Sequence, residues 1–175
     1  FCTGSKAGKE YLYNATKYLF SKVPGLGGLI ALTIGERYTH CYSGFLNVKN
    51  NCPRCKERHH HEVWADAMTL MRDGTNSVTP DAQLISCPYS QNICWGDEET
   101  VEAATAVPKG VMLQHNFESS GGSVQLGKWR RADDYWLSYI GPSEIFKSCA
   151  SAVVKNGGRI FAKLQVSCSH EVASI

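Results

Sequence analysis

Hydrophobic side chains recur along this chain with two periods, and the places where the period changes outline its elements. In residues 9–22, Tyr11, Leu12, Ala15, Tyr18 and Leu19 fall three or four apart, which is one stripe of a helix that Pro24-Gly25 brings to an end. Residues 29–34 form a continuous apolar run, and residues 37–46 alternate through Tyr38, His40 and Tyr42. Together they read as two strands of a hairpin turning at Gly35-Glu36. A polar loop at 50–58 follows, and Val63, Ala67, Leu70 and Met71 then predict a second amphipathic helix ending at Gly74. Residues 75–99 carry no countable period.

Three strand-like runs come next, at 101–107, 111–117 and 123–130, the last two joined as a hairpin through Ser119-Ser120-Gly121-Gly122. Near the C-terminal end Pro142 stands at a first helical position and Glu144 in the first turn, while Ile145, Phe146, Cys149, Ala152 and Val153 share a face. Gly157-Gly158 stops that helix. Ile160, Ala162, Leu164, Val166 and Cys168 then alternate with polar or exposed positions, the period of a half-buried strand. Strand, helix and strand over 123–168 make a β-α-β unit. The fold class expected is α+β: antiparallel sheet or sheets with helices packed on one face, closed by this unit. One domain over 1–175 is expected, with a division near 95–100 as the alternative.

Composition narrows the function classes. The chain has 175 residues, of which 43% are hydrophobic and 19% charged, the mixture of a globular protein able to bury its own core. A net charge of +2 is too slight for a general polyanion binder, so no nucleic-acid partner is expected. The most apolar stretch, 23–34, is interrupted by glycines and falls short of the roughly 20 residues a membrane helix needs. No stable membrane insertion is expected either.

Eight cysteines are the unusual feature. An even count is what a disulfide framework requires, and such frameworks belong to oxidising compartments, so Cys2, Cys41, Cys52, Cys55, Cys87, Cys94, Cys149 and Cys168 are all expected in bridges. Cys149 and Cys168, on facing elements, are expected to pair with each other or with cysteines equally buried. The start at Phe1-Cys2-Thr3 without an initiator methionine reads as a trimmed form, and Asn14-Ala15-Thr16 as an N-glycosylation acceptor, both in keeping with a secreted protein.

Candidate chemistry centres on Cys52-Pro53-Arg54-Cys55 followed by His59-His60-His61, which opens like a zinc knuckle. The knuckle then lacks its last ligand, Ala65 standing where His61 would need a partner. A disulfide-bonded loop running into a helix is the reading preferred over metal. A thioredoxin-like role is disfavoured because the pair sits in a polar loop instead of opening a helix. There is no Gly-x-Ser-x-Gly elbow and no His-Glu-x-x-His pair, and a cysteine nucleophile would leave an odd thiol over. Asp97-Glu98-Glu99 reads as a solvated turn. Trp129, Arg130, Arg131 and Trp136 gather the residue types of binding hot spots, the alternative being that the tryptophans are core and the arginines pair with Asp133 and Asp134.

The runs Ser143-Glu-Ile-Phe-Lys-Ser-Cys149, Val153-Val154-Lys-Asn-Gly157-Gly158 and Arg159-Ile-Phe-Ala-Lys-Leu-Gln-Val-Ser-Cys168 resemble the closing helix and strand of the fungal killer-toxin-like domain, shared by α/β-sandwich killer toxins and related secreted effectors. The resemblance implies a secreted antiparallel sheet with helices on one face, and a role in antagonising competing cells or manipulating a host. It carries over no functional residue. The expectation is therefore a secreted, disulfide-stapled protein that binds a protein or cell-surface target of another organism, without catalysis, cofactor or metal. Its oligomeric state is left open. The alternatives are a small secreted hydrolase with a Cys/His site and a metal-binding module at Cys52, Cys55 and His59 to His61.

Overall fold

The computed structural model describes residues 1–35, 38–44, 51–132 and 139–164. Its elements run α1 (Lys6–Lys22), β1 (Gly28–Leu32), α2 (His60–Asn76), β2 (Gln83–Cys87), α3 (Gln91–Trp95), α4 (Asp97–Thr105), β3 (Val111–Asn116), β4 (Gly121–Gln125), β5 (Lys128–Ala132), α5 (Glu144–Lys155) and β6 (Arg159–Lys163). Ser5 caps α1 by accepting from the Gly8 amide at 3.1 Å, and its own hydroxyl donates to the Cys2 carbonyl at 2.9 Å. The start of the helix is thereby tied to the residue before it.

The buried face of α1 is Gly8, Leu12, Thr16 and Phe20. It is rotated from the stripe the apolar positions suggest: Tyr11, Tyr18 and Leu19 are exposed, and Phe1 stacks on Tyr11 at 4.3 Å between ring centroids. The reason lies in α2, whose Gly74 lets the two helices cross with backbone almost on backbone. A Cβ at Gly74 would stand 2.2 Å from the Tyr13 carbonyl oxygen and 2.3 Å from Thr16 Oγ1. Small residues at the crossing, not the largest apolar ones, decide which face of α1 goes inside.

The main sheet has the order β1-β2-β3-β6, and every pairing in it is parallel. This corrects the antiparallel sheet expected from sequence. Residues 29–34 supply β1, but its partner is β2, with Leu29 opposite Leu84 and Ala31 opposite Ser86. Residues 38–44 form turns in place of the second hairpin strand. The expected strand at 101–107 is helical, with Asp97, Glu98 and Glu99 in the first turn of α4, where acids favour the positive end of the helix dipole. The β-α-β unit exists, but its first strand is β3; the hairpin β4–β5 is an antiparallel insertion before α5.

The strand order advances without reversing, so right-handed crossovers place the connecting helices on one side. That side is the core: Trp64, Ala67, Met68 and Met71 of α2, Ala103 and Ala104 of α4, and Cys149 and Val153 of α5 meet Leu84, Val111 and Leu113 of the sheet. A buried polar chain within it is satisfied, with the Trp64 indole donating to Thr33 Oγ1 at 3.0 Å and Thr33 Oγ1 lying 3.0 Å from Ser86 Oγ. Among the described residues no helix is long and apolar enough to cross a membrane.

Candidate metal centre

Among the described residues the expected disulfide framework is not formed. None of Cys2, Cys41, Cys52, Cys55, Cys87, Cys94 and Cys149 is joined in a disulfide among the described residues, and Cys168 and Trp136 lie outside them. Three of the thiols are simply core: Cys87, Cys94 and Cys149 are buried, and burial pushes the Cys149 thiol up to about 12. They behave as small apolar side chains.

The other four converge. The sulfurs of Cys2, Cys41, Cys52 and Cys55 all lie within 4.8 Å of one another, Cys2 being 3.4 Å from Cys52 and 3.7 Å from Cys55. These separations are far above the S–S bond of about 2.05 Å. They match a different object: four sulfurs held at about 2.3 Å around a zinc ion form a tetrahedron with edges of about 3.8 Å.

Each sulfur is placed by its own local structure. Cys52 and Cys55 flank a tight turn in which the amides of Cys55 and Lys56 both donate to the Cys52 carbonyl, at 3.2 and 3.0 Å. Cys2 is fixed by Ser5, as described above. Cys41 sits in the 38–44 loop, which is laced by short bonds: Thr39 Oγ1 donates to the Thr33 carbonyl at 2.6 Å, and the His40 amide to Ser43 Oγ at 2.8 Å. His40 is buried there, and desolvation lowers it to about 3, so its ring is neutral and Nδ1 accepts from the Tyr42 amide at 3.2 Å. The Tyr42 hydroxyl reaches the carbonyls of Cys55 and Arg58 at 2.8 and 3.1 Å, joining this loop to the turn. Gly4 is close-packed beneath: a Cβ there would be 2.9 Å from Arg54 Cβ and 3.4 Å from Cys55 Sγ.

Cys55 is fully buried and the other three are partly so, which shields a bound ion from competing water. The Cys52 thiol is lowered to about 6, chiefly by the Arg54 amide that hydrogen-bonds it, while burial pushes Cys41 and Cys55 up.

The histidines fall elsewhere. His59, His60 and His61 group not with Cys52 and Cys55, as the knuckle reading had them, but with Glu99 and Glu102 of α4. Of the expected binding residues, Trp129 is 65% exposed, so it is not core, and Arg130 and Arg131 are exposed beside it on β5. Arg131 pairs with Asp97 at 3.1 Å.

No family model, curated protein or solved structure matches the chain. The chemistry must be read from the geometry alone. Sequence reasoning found Cys52 and Cys55 but not Cys2 and Cys41, which no spacing rule ties to them. The only signal was negative: a Cys-x-x-Cys pair without a second pair nearby.

Proposed function

We propose that this chain is a zinc-binding α/β module whose Cys2, Cys41, Cys52 and Cys55 hold one structural ion. The observation that carries the reading is the meeting of four sulfurs from three separate segments within 4.8 Å of one another, with Cys2 at 3.4 and 3.7 Å from Cys52 and Cys55, close to tetrahedral edge lengths. Four protein ligands close the coordination sphere, so the ion serves the fold and not a substrate. Bound metal would clamp the N-terminus, the 38–44 loop and the 52–55 turn into one unit.

The test is metal analysis of protein purified under reducing conditions, which is expected to find one zinc per chain. Replacement by Co²⁺ is expected to give the intense thiolate-to-cobalt charge-transfer absorption of a sulfur site, and Cys55→Ser to diminish it. Absence of tightly held metal with four reactive thiols present would sink the reading, and iron in place of zinc would replace it with an electron-transfer centre.

A second reading keeps the expectation that the chain binds a target on another cell. It is favoured by the β4–β5 hairpin, where Trp129 stands opposite Val124 in register and Val124, Leu126 and Trp129 are all exposed. Large aromatics left in water beside arginines are the residues binding hot spots use. Trp129→Ala is expected to leave the melting temperature within about 2 °C, as for an ordinary surface substitution. In a pull-down from intact target cells it should abolish capture, and unchanged capture would remove the hairpin from the reading.

A further inference from the structure

The structure assigns a second, sulfur-free site for a divalent transition-metal ion to His60, Glu99 and Glu102, where α2 begins against α4. One ligand atom from each of the three lies within 4.8 Å of the others. His60 is nine-tenths buried, and its Nε2 stands 2.9 Å from Glu99 Oε2, yet the two are out of line for an N–H···O bond. Both atoms are buried, and among the described residues neither makes a well-aligned hydrogen bond. His61 Nδ1 is in the same position, 3.7 Å from Glu102 Oε1.

A buried ring nitrogen and a buried carboxylate oxygen that crowd together unbonded, as His60 Nε2 and Glu99 Oε2 do beside the more exposed Glu102, are costly, and a cation between them removes that cost. No lysine or arginine does so: among the described residues Glu99 and Glu102 have ion-pair contacts only with histidines.

The local fold explains the convergence. Glu99 and Glu102 are three apart on α4 and so share one helix face, and His60 opens α2 with its ring packed edge-on against Trp95 at 4.6 Å. Trp95 is held in turn by its indole donating to the Tyr42 carbonyl at 2.8 Å. Imidazole with carboxylate suits ions such as Zn²⁺, Co²⁺ or Mn²⁺ better than Ca²⁺ or Mg²⁺. Three protein ligands also leave positions open for water or substrate, unlike the closed sulfur site. Glu99 also borders a cleft of about 410 Å³ lined by Asn92, Trp95, Asp97 and Arg131. His59 and His61 form a more exposed trio with the same Glu102, so occupancy turns on Glu102.

The test is titration of the purified reduced protein with Co²⁺, followed by equilibrium dialysis and visible absorption. The two sites separate by spectrum, because cobalt on sulfur gives charge-transfer absorption and cobalt on nitrogen and oxygen gives only weak d–d bands. One further Co²⁺ per chain without added charge-transfer absorption is expected. Glu102→Gln and His60→Ala should each weaken it by more than about tenfold while leaving the sulfur band intact. The intact sulfur band, and unchanged circular dichroism, certify that the variants fold. No uptake beyond the sulfur site, or uptake indifferent to both substitutions, would overturn the assignment whatever the fate of the sulfur site.

Discussion

A chelator that strips zinc is expected to lower the melting temperature of the reduced protein by roughly 8–16 °C and to do so reversibly. The size follows from what the clamp closes. Cys2 and Cys52 are 50 residues apart, and a cross-link across such a loop constrains the unfolded chain by about 4 kcal/mol. At about 2–4 °C per kcal/mol for a chain of this length, that gives the range quoted. The unfolding need not be global, because α2, α4, α5 and the sheet share a core that does not involve the four sulfurs. Hydrogen exchange of the chelated protein should therefore show protection lost at residues 1–5, 38–44 and 51–59 and largely kept in α2 and β3. A melting temperature unmoved by the chelator but lowered by a reductant would mean that the sulfurs form bonds with each other, and the metal reading would fall.

Gly74→Ala is expected to destabilise the protein by about 3 kcal/mol, at the upper end of what overpacking costs, or some 6–12 °C of melting temperature. Two effects compete. Alanine is a better helix former than glycine by about 1 kcal/mol, so propensity alone predicts stabilisation. Against it stands a Cβ placed 2.2 Å from a backbone oxygen of α1 and 2.3 Å from Thr16 Oγ1. The hydroxyl can rotate, but it already lies 3.2 Å from the Leu12 carbonyl and 3.1 Å from that of Tyr13, and the backbone oxygen cannot move without the helix. Sterics win, and α1 must slide away from α2. Gly27→Ala is the matched control, since nothing lies within 4 Å of a Cβ there. Equal urea midpoints for the two variants would show that α1 does not cross α2 at this contact.

What could be read in the sequence divides by distance along the chain. The helices α1, α2 and α5 follow from local spacing and local stops, and β6 from its alternation, because each signal is complete within a dozen residues. The helix α4 is hidden because Val101, Ala103, Ala104 and Val107 fit a strand as well as a helix, and the deciding feature, three acids at the positive end of a dipole, reads equally well as a solvated turn. The hairpin expected over 29–46 failed for another reason. Gly35-Glu36 looks like a local turn, whereas the true partner of β1 begins at Gln83. The sites follow the same rule: the Cys52 and Cys55 pair was visible, but Cys2 and Cys41 reach it only through the fold. Glu99 and Glu102 could not be placed on one face while their segment was read as extended.

The all-parallel sheet also governs how the molecule comes to be folded. None of its four strands can pair with a near neighbour in sequence; β1 waits for a partner 55 residues away, Gly28 opposite Gln83, with α2 between them. Such distant pairing is slow, because loop closure must be completed before any contact rewards it. The four thiols meet only where the start of α1, the 38–44 loop and the turn before α2 have docked, a closure over 50 residues between Cys2 and Cys52 that is as distant as the pairing of β1 with β2. On the proposed reading, a single ion would then hold together three segments that the chain itself must first bring across that distance, so metal affinity and the docking of these segments would be read in one and the same measurement.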